Sequence, residues 1–155
     1  MKEVSINKSI KLSPHFTLGE MTVTTYHPLD GNIPSHEAIE NLKRLCGWLE
    51  ILRERYNRKY AGEEPIIINS GFRSEEVNQK CGGAKDSNHL TGCAVDIRCL
   101  GPEQMIRYAC LLLDTADENG WLFDELIQEK RGTTYWIHFA VRPKVNRRKI
   151  LFDCR

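Results

Sequence analysis

Ser87-Asn88-His89-Leu90-Thr91-Gly92-Cys93-Ala94-Val95-Asp96 is the stretch from which the rest of this chain is read. It holds an imidazole and a carboxylate seven positions apart, with a glycine between them. That spacing would share one helix face, but Gly92 and the β-branched residues after it disfavour a helix. The pattern predicts a loop carrying His89, a turn at Gly92 and a strand from Cys93 to about Cys99. On such a strand Ala94 and Asp96 share one face, and Cys93, Val95 and Ile97 share the other. An aspartate among apolar strand residues needs a cation or strong donors, because a buried unpaired charge is costly. A nearby histidine and a divalent metal would satisfy it. A third ligand must come from elsewhere, and Trp136-Ile137-His138-Phe139-Ala140-Val141 offers a histidine in a second apolar strand pattern. His89, Asp96 and His138 are therefore the candidate ligands of one zinc per chain, with the fourth position left for water.

The residues on either side supply scaffold. Ser35 is a plausible N-cap, and Ile39, Leu42, Leu45, Cys46, Leu49, Leu52 and Tyr56 recur at helical spacing, so a helix is expected from Ser35 to Tyr60. Pro65-Ile66-Ile67-Ile68-Asn69-Ser70 reads as a strand too apolar to leave one face in water. Gly71-Phe72-Arg73-Ser74 ends it, and Ser74 caps a short helix. Pro102 opens a further helix that ends at Asn119-Gly120, with Met105, Ile106, Ala109, Cys110, Leu112 and Leu113 as its buried side. The stretch from Trp121 to Glu129 then enters a strand, and Tyr135 to Val141 returns as its hairpin partner. If the turn is centred near Gly132-Thr133, Glu129 and His138 look to the same side. Glu129 leads as general base; Glu125 and Asp124 are the alternatives.

Ser-x-His-x-x-Gly-x-Ala-x-Asp at Ser87–Asp96, with Trp136-x-His138 some forty residues on and Ser70-Gly-x-Arg73-Ser74 before it, resembles the zinc D-alanyl-D-alanine peptidases of the M15 type. The resemblance runs from Phe16 to about Arg142. It implies an α+β fold with a central, mainly antiparallel sheet and flanking helices, shared with hedgehog signalling domains. It also implies a zinc metallopeptidase acting on peptidoglycan stem peptides, as a carboxypeptidase or as an endolysin-type endopeptidase. Arg73 then sits at the cleft to bind a substrate carboxylate or polarise the scissile carbonyl, and Ser87 donates to substrate or orients His89. Many members carry an acidic residue three positions before the last histidine, where this chain has Tyr135. That departure leaves a second reading, a zinc-bearing binding module without turnover.

Composition narrows the setting. The 155 residues fit one domain, with a core over about 13–142 and a basic tail over 143–155. Basic and acidic residues number 22 and 21, so no global field points to nucleic acid. Arg142, Lys144, Arg147, Arg148 and Lys149 form the basic cluster, read as a solvated tail or as attraction to an anionic cell wall or membrane. The six cysteines have no framework spacing and read as thiols of a reducing compartment, not as disulfides. Neither a membrane span nor an apolar signal core is visible. The expectation is a cytosolic product that reaches a cell wall after lysis or by a non-classical route. Oligomeric state is open, with a monomer expected.

Overall fold

The computed structural model describes residues 5–155. A short arm comes first: β1 (Lys11–Ser13) pairs antiparallel with β2 (Phe16–Thr17) as a separate two-stranded sheet. The sequence from Met1 to Lys11 reads as an edge strand or arm; its Met1–Val4 part lies outside the described residues, and Lys11 opens β1. Phe16 and Leu18 dock in the core.

Helix α1 (His36–Tyr60) begins where Ser35 Oγ accepts the Ala38 N–H, and it ends at Ala61 in the left-handed region. Its buried stripe includes Leu42, Leu45, Trp48, Leu49 and Leu52. Next come β3 (Ile68–Ser70), α2 (Glu75–Lys80, capped by Ser74), β4 (Ala94–Cys99) and α3 (Pro102–Asn119). Helix α3 stops at Gly120, whose φ of 64° suits a residue without a side chain. The chain closes with β5 (Glu125–Arg131), β6 (Thr134–Ala140) and β7 (Lys149–Cys154).

The main sheet has the order β3-β4-β6-β5-β7, and only the β5–β7 pair is parallel. Fold class is therefore α+β with a mainly antiparallel sheet, as the sequence indicated. Val95, Ile97, Leu126, Ile137 and Phe139 are fully buried on the face packed against α1 and α3. Trp48 of α1 meets Phe123 and Phe139 edge to face, which locks the helix over the sheet. Strand alternation sends Asp96, His138, Ile127, Glu125 and Glu129 to the opposite face.

Four expectations are corrected. The Pro65–Ser70 segment is an edge, not a doubly covered strand: Ile67 is 42% exposed while Ile66 and Ile68 are buried. On α3, Ile106 and Cys110 face solvent, and Tyr108 and Leu111 take the buried positions. Trp121 to Asp124 precede the strand instead of forming it. The stretch over 143–155 is no tail, because β7 extends the sheet and Arg147 and Arg148 pair with Asp124 and Asp117. All six cysteines are unpaired.

Candidate metal centre

The motif folds as a tight corner before its strand. Residues Asn88–Thr91 form a 3-10 turn, with Ser87 Oγ accepting the His89 N–H at 3.2 Å. Gly92 follows at φ 73°, and a Cβ there would lie 2.5 Å from the Ala38 carbonyl oxygen of α1. A side chain is thus excluded twice, by backbone conformation and by the helix passing close by. This corner seats His89 at the end of β4. The adjacent register pairs Asp96 with His138 across β4 and β6, and His138 with Ile127 across β6 and β5.

His89, Asp96 and His138 each offer a ligand atom, and the three atoms lie within 4.8 Å of one another. His89 Nε2 stands 3.3 Å from Asp96 Oδ1, and His138 Nδ1 stands 3.1 Å from the same oxygen. The outer nitrogens are also engaged. His89 Nδ1 donates to the Gly71 carbonyl at 2.7 Å, which fixes its tautomer because a carbonyl only accepts. His138 Nε2 meets Glu125 Oε1 at 3.1 Å. Two imidazoles and one carboxylate, each backed by an outer partner, form a donor set suited to zinc.

The electrostatics follow from this packing. Burial alone would raise the Asp96 pKa, but the charge and hydrogen bonds of His89 and His138 hold it below the ordinary range. Burial works against a charged His138, yet the Asp96 and Glu125 hydrogen bonds raise it to about 9. The His138 hydrogen bond holds Glu125 down at about 2. Glu129 moves the other way: burial, then repulsion from Asp96, raises its pKa, and the charge of His138 only partly offsets this. Glu129 and Trp136 face each other across β5 and β6.

These groups floor an open cleft of about 530 Å³. Arg73, Ser87, Glu125, Glu129 and Trp136 all line it, so the residues singled out from the sequence come together. Arg73 donates from Nε to Ser70 Oγ at 2.9 Å and from Nη2 to Asp96 Oδ2 at 3.1 Å. Its Nη1 has no protein partner among the described residues. Asp124, an alternative base, is fully buried beneath the cleft and accepts from Arg147 and Asn88. The other three histidines lie away from the site and are exposed; His15 pairs with Glu50.

Sequence reasoning missed Asn88. Its amide donates to both Asp124 Oδ2 and Glu125 Oε1, and its own oxygen accepts from Arg142. Its place inside the motif was visible, but nothing in the spacing tied it to carboxylates 36 and 37 residues away.

Comparisons with known proteins bear on these residues. A family model described as Peptidase M15 matches residues 14–123, more than half of the chain. That span contains His89 and Asp96 and stops short of β5 and β6, so only the fold brings His138 and Glu129 beside them. The chain is also similar to the zinc D-Ala-D-Ala carboxypeptidase of Streptomyces albus G, with 45% identity over 40 residues. Those residues are 26% of this chain and 16% of that enzyme, so the chain spans only a small part of that relative. No helix among the described residues is long and apolar enough to cross a membrane.

Proposed function

Since the chain belongs to the peptidase M15 family, we propose that it is a zinc-dependent metallopeptidase hydrolysing D-amino-acid-containing bonds of peptidoglycan stem peptides. The observation that carries this is the convergence of His89 Nε2, Asp96 Oδ1 and His138 Nδ1 on the floor of a cleft. These three residues would hold one zinc per chain. Bound there, a zinc ion would supply Lewis acidity, lowering the pKa of a water towards about 7 and drawing charge from a carbonyl oxygen.

The chain's own residues do the rest. Gly71 and Glu125 orient the two imidazoles from outside, and Arg73 steadies Asp96 through Oδ2. Glu129 accepts the proton of the attacking water and returns it to the leaving amine nitrogen, so it ends each cycle ionised again. Its raised pKa suits that exchange. Glu125 is already committed to His138, and Asp124 is buried under arginine and asparagine donors, so neither is free for this role. Arg73 retains Nη1 for a substrate carboxylate or the developing oxyanion. Ser87 can rotate its hydroxyl hydrogen towards substrate while its oxygen accepts from His89.

The test pairs metal content with digestion of intact peptidoglycan and of D-Ala-D-Ala peptides. Wild type should carry one zinc and cleave, Glu129→Gln should carry zinc and lose about 10² or more of turnover, and His138→Ala should lose the zinc. Zinc binding with no turnover on any of these substrates would instead identify a binding module on the same scaffold.

A further inference from the structure

Among the described residues, β7 is an edge strand of the main sheet. β7 pairs with β5 on one side, and no strand among the described residues lies on the other. Lys149 N–H donates to Asp124 O and Arg155 N–H to Lys130 O, so the odd-numbered residues turn their peptide groups inward. The peptide groups of Ile150 and Phe152 therefore point outward, away from β5. Side chains on this edge are also uncovered: Ile150 and Leu151 are 44% exposed and Phe152 is 59% exposed. Natural edges are protected by central charges, prolines or bulges, and Lys149-Ile150-Leu151-Phe152-Asp153 has none in its middle.

We propose that two copies of this chain pair through β7, antiparallel about Leu151, joining two five-stranded sheets into one. The sequence of the strand is complementary to its own reverse. Centred on Leu151, the register sets Lys149 opposite Asp153 of the second copy and Ile150 opposite Phe152 of the second copy, each contact occurring twice. The outward peptide groups of Ile150 and Phe152 then exchange hydrogen bonds, and the two Leu151 side chains meet at the closer, non-bonded position. A shift to a centre on Ile150 would place Lys149 against leucine, and one on Phe152 would place Asp153 against leucine. Charge thus selects one register. The pairing is isologous, so it closes at two copies and leaves no further free β7 edge.

Lys149, Leu151 and Asp153 lie beside Glu125, Ile127 and Glu129 in the parallel register, on the cleft side of the sheet. A two-fold axis perpendicular to the sheet at Leu151 opens both clefts on the same face. Lys149 lines the cleft, so the interface adjoins it. A six-residue strand is a small contact, and the dimer should dissociate on dilution.

Sedimentation velocity of the full chain across a micromolar concentration series tests this. Wild type should show a monomer–dimer equilibrium. Lys149→Asp alone and Asp153→Lys alone each set like charges opposite one another twice, and each should weaken dimerisation by about 10-fold or more. An equimolar mixture of the two single variants should recover a heterodimer, and the double variant should recover the homodimer. Recovery in either case excludes misfolding as the cause of the loss. A wild-type monomer at every concentration overturns the proposal, as does a dimer indifferent to both single substitutions. Open-ended oligomers overturn it too, because an isologous edge closes at two.

Discussion

Glu125 Oε1 and His138 Nε2 stand 3.1 Å apart across the β5–β6 pair, which leaves Nδ1 of the same ring 3.1 Å from Asp96 Oδ1. The carboxylate thereby decides which nitrogen of His138 faces Asp96. Outer partners of this kind typically change metal affinity by about 10–100-fold. Glu125→Ala should weaken zinc binding by that amount in competition with a chromogenic chelator, and Glu125→Gln by less, because its amide oxygen still accepts the ring N–H. Equal zinc affinity in Glu125→Ala and wild type would remove Glu125 from the site.

Glu129 should set the acid limb of the pH–rate profile. A general base works only when ionised, so kcat/KM falls as pH drops through its pKa. Burial and the nearby Asp96 raise that pKa above the ordinary 4.5, and the limb should move up with it. Glu129→Gln should lose the limb together with about 10² or more of turnover. An acid limb unchanged in the variant would assign the base elsewhere.

Arg73 should respond to shape more than to charge. Its fork spans Ser70 and Asp96 and still presents Nη1 to the cleft, which an ammonium cannot reproduce. Arg73→Lys should keep stoichiometric zinc and lower kcat/KM on stem peptides by about 10², the scale of one lost oxyanion donor. Unchanged kcat/KM would reduce Arg73 to a structural role.

Asp124 should matter for stability. It is fully buried and accepts from the Arg147 backbone and guanidinium as well as from Asn88, so it ties the 142–149 connection under β5. Burial would raise its pKa, but those donors lower it from 3.8 to about 2. A depressed carboxylate stabilises the fold fully above its unfolded pKa, and that stabilisation is lost as pH falls from about 4 through about 2. Asp124→Ala should cost about 3 kcal/mol in urea unfolding at neutral pH and flatten the acid dependence over that window.

Much of this was legible in the chain. The motif at Ser87–Asp96 offered two candidate ligands, and the parity of β6 put His138 on the face that β4 gives Asp96. Gly132 set the hairpin register well enough to turn Glu129 inward. A two-residue period cannot separate Glu125 from Glu129, however, because both have the same parity on β5; only the distance from Glu125 to His138 does. The arginines after Val141 were ambiguous because Asp117 and Asp124, their partners, are remote in sequence. β7 was missed for a related reason: a parallel edge strand has no turn to declare it. Ile106 and Cys110 were misjudged because helical spacing marks a stripe without saying how wide it is.

The strand order also fixes when the centre can exist. His89 and Asp96 emerge together during synthesis, and His138 follows Asp96 by 42 residues, on a strand that lies between β4 and β5. β5 is not a hydrogen-bonded neighbour of β4, so the β5–β6 hairpin joins the sheet through β6, and that docking brings His138 beside Asp96. A growing chain that has not yet reached Thr134 holds only half a coordination set, too few donors for tight capture. If these residues bind zinc as proposed, ion uptake timed against translation or refolding should record the docking of that hairpin, a late step that local helix formation does not reveal.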